Sequence, residues 1–367
     1  MAPRGRNTLV QVALVLIGLA LLVAGARWLV DGSARLATAL GVSQLVIGLT
    51  VVAAGTSVPE LATSVQAALA DRPDVVVGNV VGSNILNVLF ILGISSLLTP
   101  LVVAQRLVRL EVPIMIGVSV LLLVLALDGR VERLEGLVLV GGIIAYTVFA
   151  VRQSRREGVE VRAEYAHEYG TVAPRGRNTL VQVALVLIGL ALLVAGARWL
   201  VDGSARLATA LGVSQLVIGL TVVAAGTSVP ELATSIVAAV RGERDIAVGN
   251  VVGSNIFNVL FILGLSALVS PAGVAVAPAA LTFDIPVMIA VAVGCLPILF
   301  TGHRIARWEG ALFVGYYAAY ALFLVLASLE HDALPWFSRT MVAYVLPLTV
   351  VTLLVLYVRS ARHDRPG

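Results

Sequence analysis

Gly48-Leu-Thr-Val-Val-Ala-Ala-Gly-Thr-Ser-Val-Pro-Glu60 is an apolar run that ends on a carboxylate. The same run recurs from Gly219 to Glu231, and each copy is followed by Gly-Asn-Val-Val-Gly-Ser-Asn-Ile, at 78–85 and 249–256. A Glu inside a segment of membrane length is costly unless it faces protein or water, so it marks an ion or proton path. Two such sites are written into this chain.

Working outward from Glu60, Pro59 lacks an N–H and its ring presses on the carbonyl of residue 55, so a helix is expected to break around Gly55 to Pro59. Inside a bilayer the freed carbonyls are tolerated only where protein, water or an ion satisfies them. Thr56 and Ser57 lie four and three residues before Glu60 and share its helix face. Hydroxyls, carbonyls and a carboxylate make an all-oxygen site, the chemistry of hard cations such as Ca²⁺ or Na⁺, with no soft ligand in the motif. Thr227, Ser228, Pro230 and Glu231 repeat it. In the following segment Gly78 and Gly82 have the small-residue spacing of close helix packing, and Ser83 and Asn87 share a face. Gly249, Gly253, Ser254 and Asn258 match them. Asn79, Asn84, Asn250 and Asn255 read more readily as bridges between helices than as ligands. A Gly/Pro kink with one buried Glu could be structural alone, but its duplication with hydroxyls on the same face has no structural explanation.

The surrounding chain is a membrane protein. It is 59% hydrophobic and 13% charged, with a mean hydropathy of +1.00, against roughly 25% charge in soluble domains. Runs long enough to cross a bilayer cover 9–31, 38–64, 79–104, 109–128, 134–152, 180–202, 209–235, 250–275, 283–301, 308–328 and 338–358. Trp28, Trp199, Trp308 and Trp336 lie near span ends, as interfacial rings do. All 25 basic residues are Arg, spread singly or in pairs between spans; they form no basic face, which argues against a nucleic-acid partner. The single Cys295 allows no internal disulfide.

Residues 2–64 recur without change at 173–235. The internal copy argues against reading the first span as a cleaved signal peptide. Identity on this scale, between halves that do different work, points to gene conversion, an engineered duplication or an assembly error. Five spans separate corresponding points, so the halves enter the membrane in opposite directions, the inverted plan of many secondary transporters. The Arg bias favours an N-terminus outside and a cytoplasmic 153–179 loop, although Arg4 and Arg6 pull locally the other way. The expected architecture is an all-α integral membrane protein: a five-span repeat over 1–152, a solvated loop over 153–179, a second, inverted five-span repeat over 180–330, and an extra span with a tail over 331–367.

Gly-Thr-Ser-Val-Pro-Glu in both halves, with Gly-Asn-Val-Val-Gly-Ser-Asn-Ile-x-Asn after it, resembles the two alpha repeats of the calcium/cation antiporter superfamily, and within it the prokaryotic calcium/sodium antiporters. The resemblance covers about residues 5 to 328. It implies ions bound among spans 2, 3, 7 and 8, with spans 1 and 6 moving against that core. The implied ligands are Thr56, Ser57, Glu60, Ser83, Asn87, Thr227, Ser228, Glu231, Ser254 and Asn258, with the carbonyls of Ala53 and Ala224 as sodium contacts. Exchangers of this superfamily often carry Asp where Asn258 stands, so two carboxylates are expected here rather than three, and the eleventh span is extra to the ten-helix plan. No cofactor is implied; the transported ions bind as substrates.

Two buried carboxylates cannot both stay ionised cheaply without a cation. One Ca²⁺, two Na⁺ or two protons neutralise them, and competition for that charge is a physical basis for exchange. The expected function is therefore Ca²⁺ export against inward Na⁺ flow across the inner membrane, with a Ca²⁺/H⁺ antiporter as the alternative. A passive cation channel would also use central carboxylates but does not explain two inverted broken helices. A hydrolase lacks a partner for Cys295, and all four His lie in expected loops or tails. One chain carries both half-sites, so a monomer suffices for function; the oligomeric state is not written in the sequence.

Overall fold

The computed structural model describes residues 3–169, 179–210, 226–300, 303–329 and 331–352, with the side chains of 3–9, 157–169 and Phe300 outside the description. The first helix, α1 (Pro3–Leu40), is longer than its apolar run, because Arg27, Asp31 and Arg35 continue the helix past the hydrophobic stretch. It ends at Gly41, whose φ of 68° is open to glycine at little cost. Ser43 then caps the next helix by accepting from the Val46 N–H at 3.3 Å. The second span is a bent pair, α2 (Gln44–Thr56) and α3 (Val58–Leu69), at 49° to one another. The break falls at Ser57 (φ −81°, ψ 11°), with Pro59 in the first turn of α3 where its missing N–H costs least.

α4 (Pro73–Leu98), α5 (Leu107–Asp128) and the long α6 (Arg133–Tyr169) complete the first half. α6 overturns the expected loop at its start: residues 153–169 continue the helix beyond the apolar part of the span, which ends near Arg156. A polar stretch free of Pro can extend a helix without burying it. The second half runs through α7 (Thr179–Ala210), α8 (Val229–Val240), α9 (Arg244–Val269), α10 (Ala280–Leu299) and α11 (Arg307–Ser328). Most of the first arm of its bent span, 211–225, lies outside the described residues. α12 (Leu334–Thr352) is the extra span; it lies on the periphery, held to α11 in part by Tyr316 Oη and Thr349 Oγ1 at 2.5 Å.

Four two-residue strands join the halves. β1 (Leu101–Val102), after α4, pairs antiparallel with β4 (Arg304–Ile305), before α11. β2 (Arg130–Val131), before α6, pairs with β3 (Val274–Ala275), after α9. Each pair thus joins a connection after the third span of one half to a connection before the fifth span of the other. That crossed pairing is what two halves of opposite direction require.

α4 and α9 are the most buried spans, and each carries a π-helical turn beginning at the same motif residue, Asn87–Leu92 and Asn258–Leu263. Such turns cluster at functional sites. Outside this centre α1 packs along α7, and their close approach depends on glycine. A Cβ at Gly25 would sit 2.7 Å from the Gly189 carbonyl oxygen, and one at Gly189 would sit 2.6 Å from the Leu29 nitrogen. Gly249 and Gly253 meet the backbone of Leu45 to Leu49 just as tightly. The corresponding partners of Gly78 and Gly82, at 216–220, lie outside the described residues.

Candidate functional site

The break at Ser57 turns the start of α3 toward α8 and α9, and its counterpart at Ser228 faces α3 and α4. The hydroxyls cross between the halves. Ser57 donates to Glu231 Oε1 at 2.9 Å and lies 3.3 Å from Ser254 Oγ. Ser228 donates to Glu60 Oε1 at 2.8 Å and lies 3.2 Å from Ser83 Oγ. Each carboxylate is therefore held by the serine of the other repeat. Glu60 and Glu231 are only 2% and 1% exposed, and no Arg is among the groups bonded to their carboxylates in the described contacts.

Four buried oxygens at this centre have no hydrogen-bond partner among the described residues: Glu60 Oε2, Glu231 Oε2, Asn87 Oδ1 and Asn258 Oδ1. The large majority of buried polar side-chain atoms in folded proteins are paired, and these four stand on matched motif residues of the two repeats. Two carboxylate and two amide oxygens, matched in pairs by the internal symmetry, form an oxygen donor set suited to a hard divalent cation or to small monovalent ones. Among the described residues no group of three or more His, Cys, Asp and Glu could hold a metal ion, so a cation here would rely on the two glutamates together with neutral oxygens.

The structure brings Ser57, Glu60, Ser83, Ser228, Glu231 and Ser254 into direct contact across the two repeats. Asn87 and Asn258 join through a second pair of amides, Asn255 and Asn84, at 2.9 and 3.0 Å. Thr56 is fully buried, with Oγ1 3.1 Å from both Val52 O and Asn250 Oδ1, which compete for its one proton; Thr227 is half-buried and reaches Asn79 Oδ1 at 3.4 Å. Asn79 and Asn250 bridge helices. Asn79 Nδ2 donates to Glu60 O at 3.1 Å and Ser64 Oγ at 2.8 Å, and Asn250 Nδ2 to Glu231 O at 3.3 Å and Ser235 Oγ at 3.0 Å. These bonds tie each glutamate's backbone to the neighbouring span. The Ala53 carbonyl accepts from the Ser57 N–H at 3.1 Å and from Thr56 Oγ1 at 3.3 Å, while Ala224 lies outside the described residues. The thioethers of Met115 and Met288 were not anticipated: each accepts from an Asn amide at 3.4 Å. A Met inside an apolar run carries no sequence signal that separates it from ordinary core.

Residues 10–152 and 181–326 match the family described as sodium/calcium exchanger protein. Among curated relatives, the putative antiporter CaxA of Alkalimonas amylolytica is 39% identical over 265 residues, covering 70% of this chain and 82% of that protein. The inner membrane protein YrbG of Escherichia coli is 39% identical over 237 residues, covering 64% of this chain and 71% of YrbG. A solved structure of the sodium-calcium exchanger NCX_Mj superposes with a TM-score of 0.73 at 31% identity, over 88% of this chain and 99% of that one.

Proposed function

The chain belongs to the sodium/calcium exchanger family, and from that premise we propose that it is a Ca²⁺/Na⁺ antiporter whose cations share the site between Glu60 and Glu231. Cation antiport across the membrane, with Ca²⁺ as a carried ion, is the family's activity. Sodium as the counter-ion and the ligand assignment are our reading. The observation that carries it is the set of four unpartnered oxygens, one carboxylate and one amide from each repeat. The two glutamates supply a charge of minus two, balanced by one Ca²⁺ or two Na⁺, and each counter-repeat serine donates to one oxygen of its carboxylate while leaving the other for an ion. Because both repeats contribute ligands, movement of α1 and α7 over the centre would open it to one side at a time without dismantling it. The orientation we favour has the N-terminus outside the cell and the segment after α6 in the cytoplasm, following the distribution of Arg.

Proton coupling is the second reading, because two protons neutralise the same pair. Radiolabelled calcium uptake into proteoliposomes separates the two. With a sodium gradient at equal pH we expect uptake; with a pH gradient in sodium-free buffer we expect none. The reverse pattern would move the protein to proton exchange.

A further inference from the structure

We propose that Asn84 and Asn255 are positioning residues that dictate which atom Asn258 and Asn87 present to the transported cation, each acting across the two-fold axis on the other repeat. The proposal rests on the cation site described above. The two ends of an amide side chain are alike in shape and opposite in chemistry, one donating and one accepting. Nothing in an isolated Asn decides which end faces an ion.

Here the main chain decides. Asn84 Nδ2 lies 3.3 Å from the Asn255 carbonyl oxygen and 3.4 Å from Met288 Sδ. Neither atom carries a hydrogen, so the donor end of Asn84 must face them. Asn84 Oδ1 is thereby fixed toward Asn258, 3.0 Å away, and an acceptor there admits only the Asn258 N–H. Asn258 Oδ1, buried and without a hydrogen-bond partner among the described residues, is left as the ligand atom. The mirror relay runs from the Asn84 carbonyl, 3.3 Å from Asn255 Nδ2, and from Met115 Sδ at 3.4 Å. Asn255 Oδ1 then accepts from Asn87 Nδ2 at 2.9 Å and leaves Asn87 Oδ1. Two backbone carbonyls thus set the polarity of two ligand amides before any cation arrives, and keep N–H groups, which repel cations, turned away. This is the support that outer residues give to metal ligands.

The relay is crossed, and that makes it testable. Calcium binding to the purified protein is measured calorimetrically for Asn84→Leu, a near-isosteric change, alone and in the Asn258→Ala and Asn87→Ala backgrounds. Asn84→Leu is expected to weaken binding about 10- to 100-fold, the usual range for loss of an outer partner. The same loss is expected in the Asn87→Ala background and no further loss in Asn258→Ala, where there is no amide left to orient. A general packing defect would weaken both backgrounds alike, and that result overturns the proposal, as does a monodisperse Asn84→Leu protein with wild-type affinity. Should Asn84→Leu fail to fold, Asn84→Ser, and Asn255→Ser with the two backgrounds exchanged, carry the same comparison. A wild-type protein that binds no Ca²⁺ would instead overturn the cation site itself.

Discussion

Ser57 and Ser228 show how much rests on single side chains. Each places one hydroxyl on the glutamate of the opposite repeat, so each is a contact between halves as well as part of the site. A hydrogen bond to a charged group contributes about 1.5–3 kcal/mol. We therefore expect Ser57→Ala and Ser228→Ala each to raise the half-saturating Ca²⁺ concentration by about tenfold or more, since 1.4 kcal/mol is a factor of ten. Transport titrations on the two variants check this, and their effects should be similar because the contacts are symmetric. The residue types were legible in the sequence, since a duplicated Thr-Ser-x-Pro-Glu inside apolar runs has one chemical reading. The partners were not. Spacing along one helix puts Ser57 on the face of Glu60, whereas the fold hands it to Glu231, and only the two-fold arrangement of the halves makes that exchange visible.

At the scale of elements, proline and glycine do different work. Pro59 sets where the second span bends, and the sequence placed that break correctly; the observed hinge is one residue, Ser57. Helix ends were less legible. α1 and α7 run beyond their apolar stretches and α6 continues to Tyr169, because hydropathy reports where lipid is and not where hydrogen bonding stops. The glycines of α1 and α7 allow two antiparallel copies of one sequence to touch through their backbones. A larger side chain there has nowhere to go except against main chain, and overpacking costs about 1–3 kcal/mol. Gly25→Leu is expected to slow transport strongly while leaving Ca²⁺ binding within about threefold, a shift below 1 kcal/mol. Parallel binding and flux measurements test this; equal loss of both would show that the seam supports the site rather than its movement.

For the whole molecule, the exact repeat of residues 2–64 at 173–235 makes differences between the halves conspicuous. Arg241, at the end of α8, pairs with Asp31 on α1 at 2.9 Å, beside a crevice lined by Val23, Arg27 and Val237. Asp202 is the duplicate of Asp31, but the position matching Arg241 in the first half is Ala70. The latch is thus written at one end of the molecule only, the cytoplasmic end in the orientation we favour. Half-exposed ion pairs contribute about 0.2–1 kcal/mol. Arg241→Ala should therefore bias the two access states by no more than a factor of about five, seen as faster modification of a cysteine placed at Val237, with little change in stability; unchanged labelling would remove the latch from the account. Two inverted repeats were readable from the duplicated motif, and the crossed strand pairs with the NCX_Mj likeness bear them out. The central claim is that one glutamate from each repeat holds the carried Ca²⁺. Its most direct test is sodium-gradient-driven uptake of radiolabelled calcium into proteoliposomes by the wild-type protein, Glu60→Gln and Glu231→Gln side by side. Uptake by the wild type and none by either folded variant is the predicted result; uptake retained in both variants would contradict it.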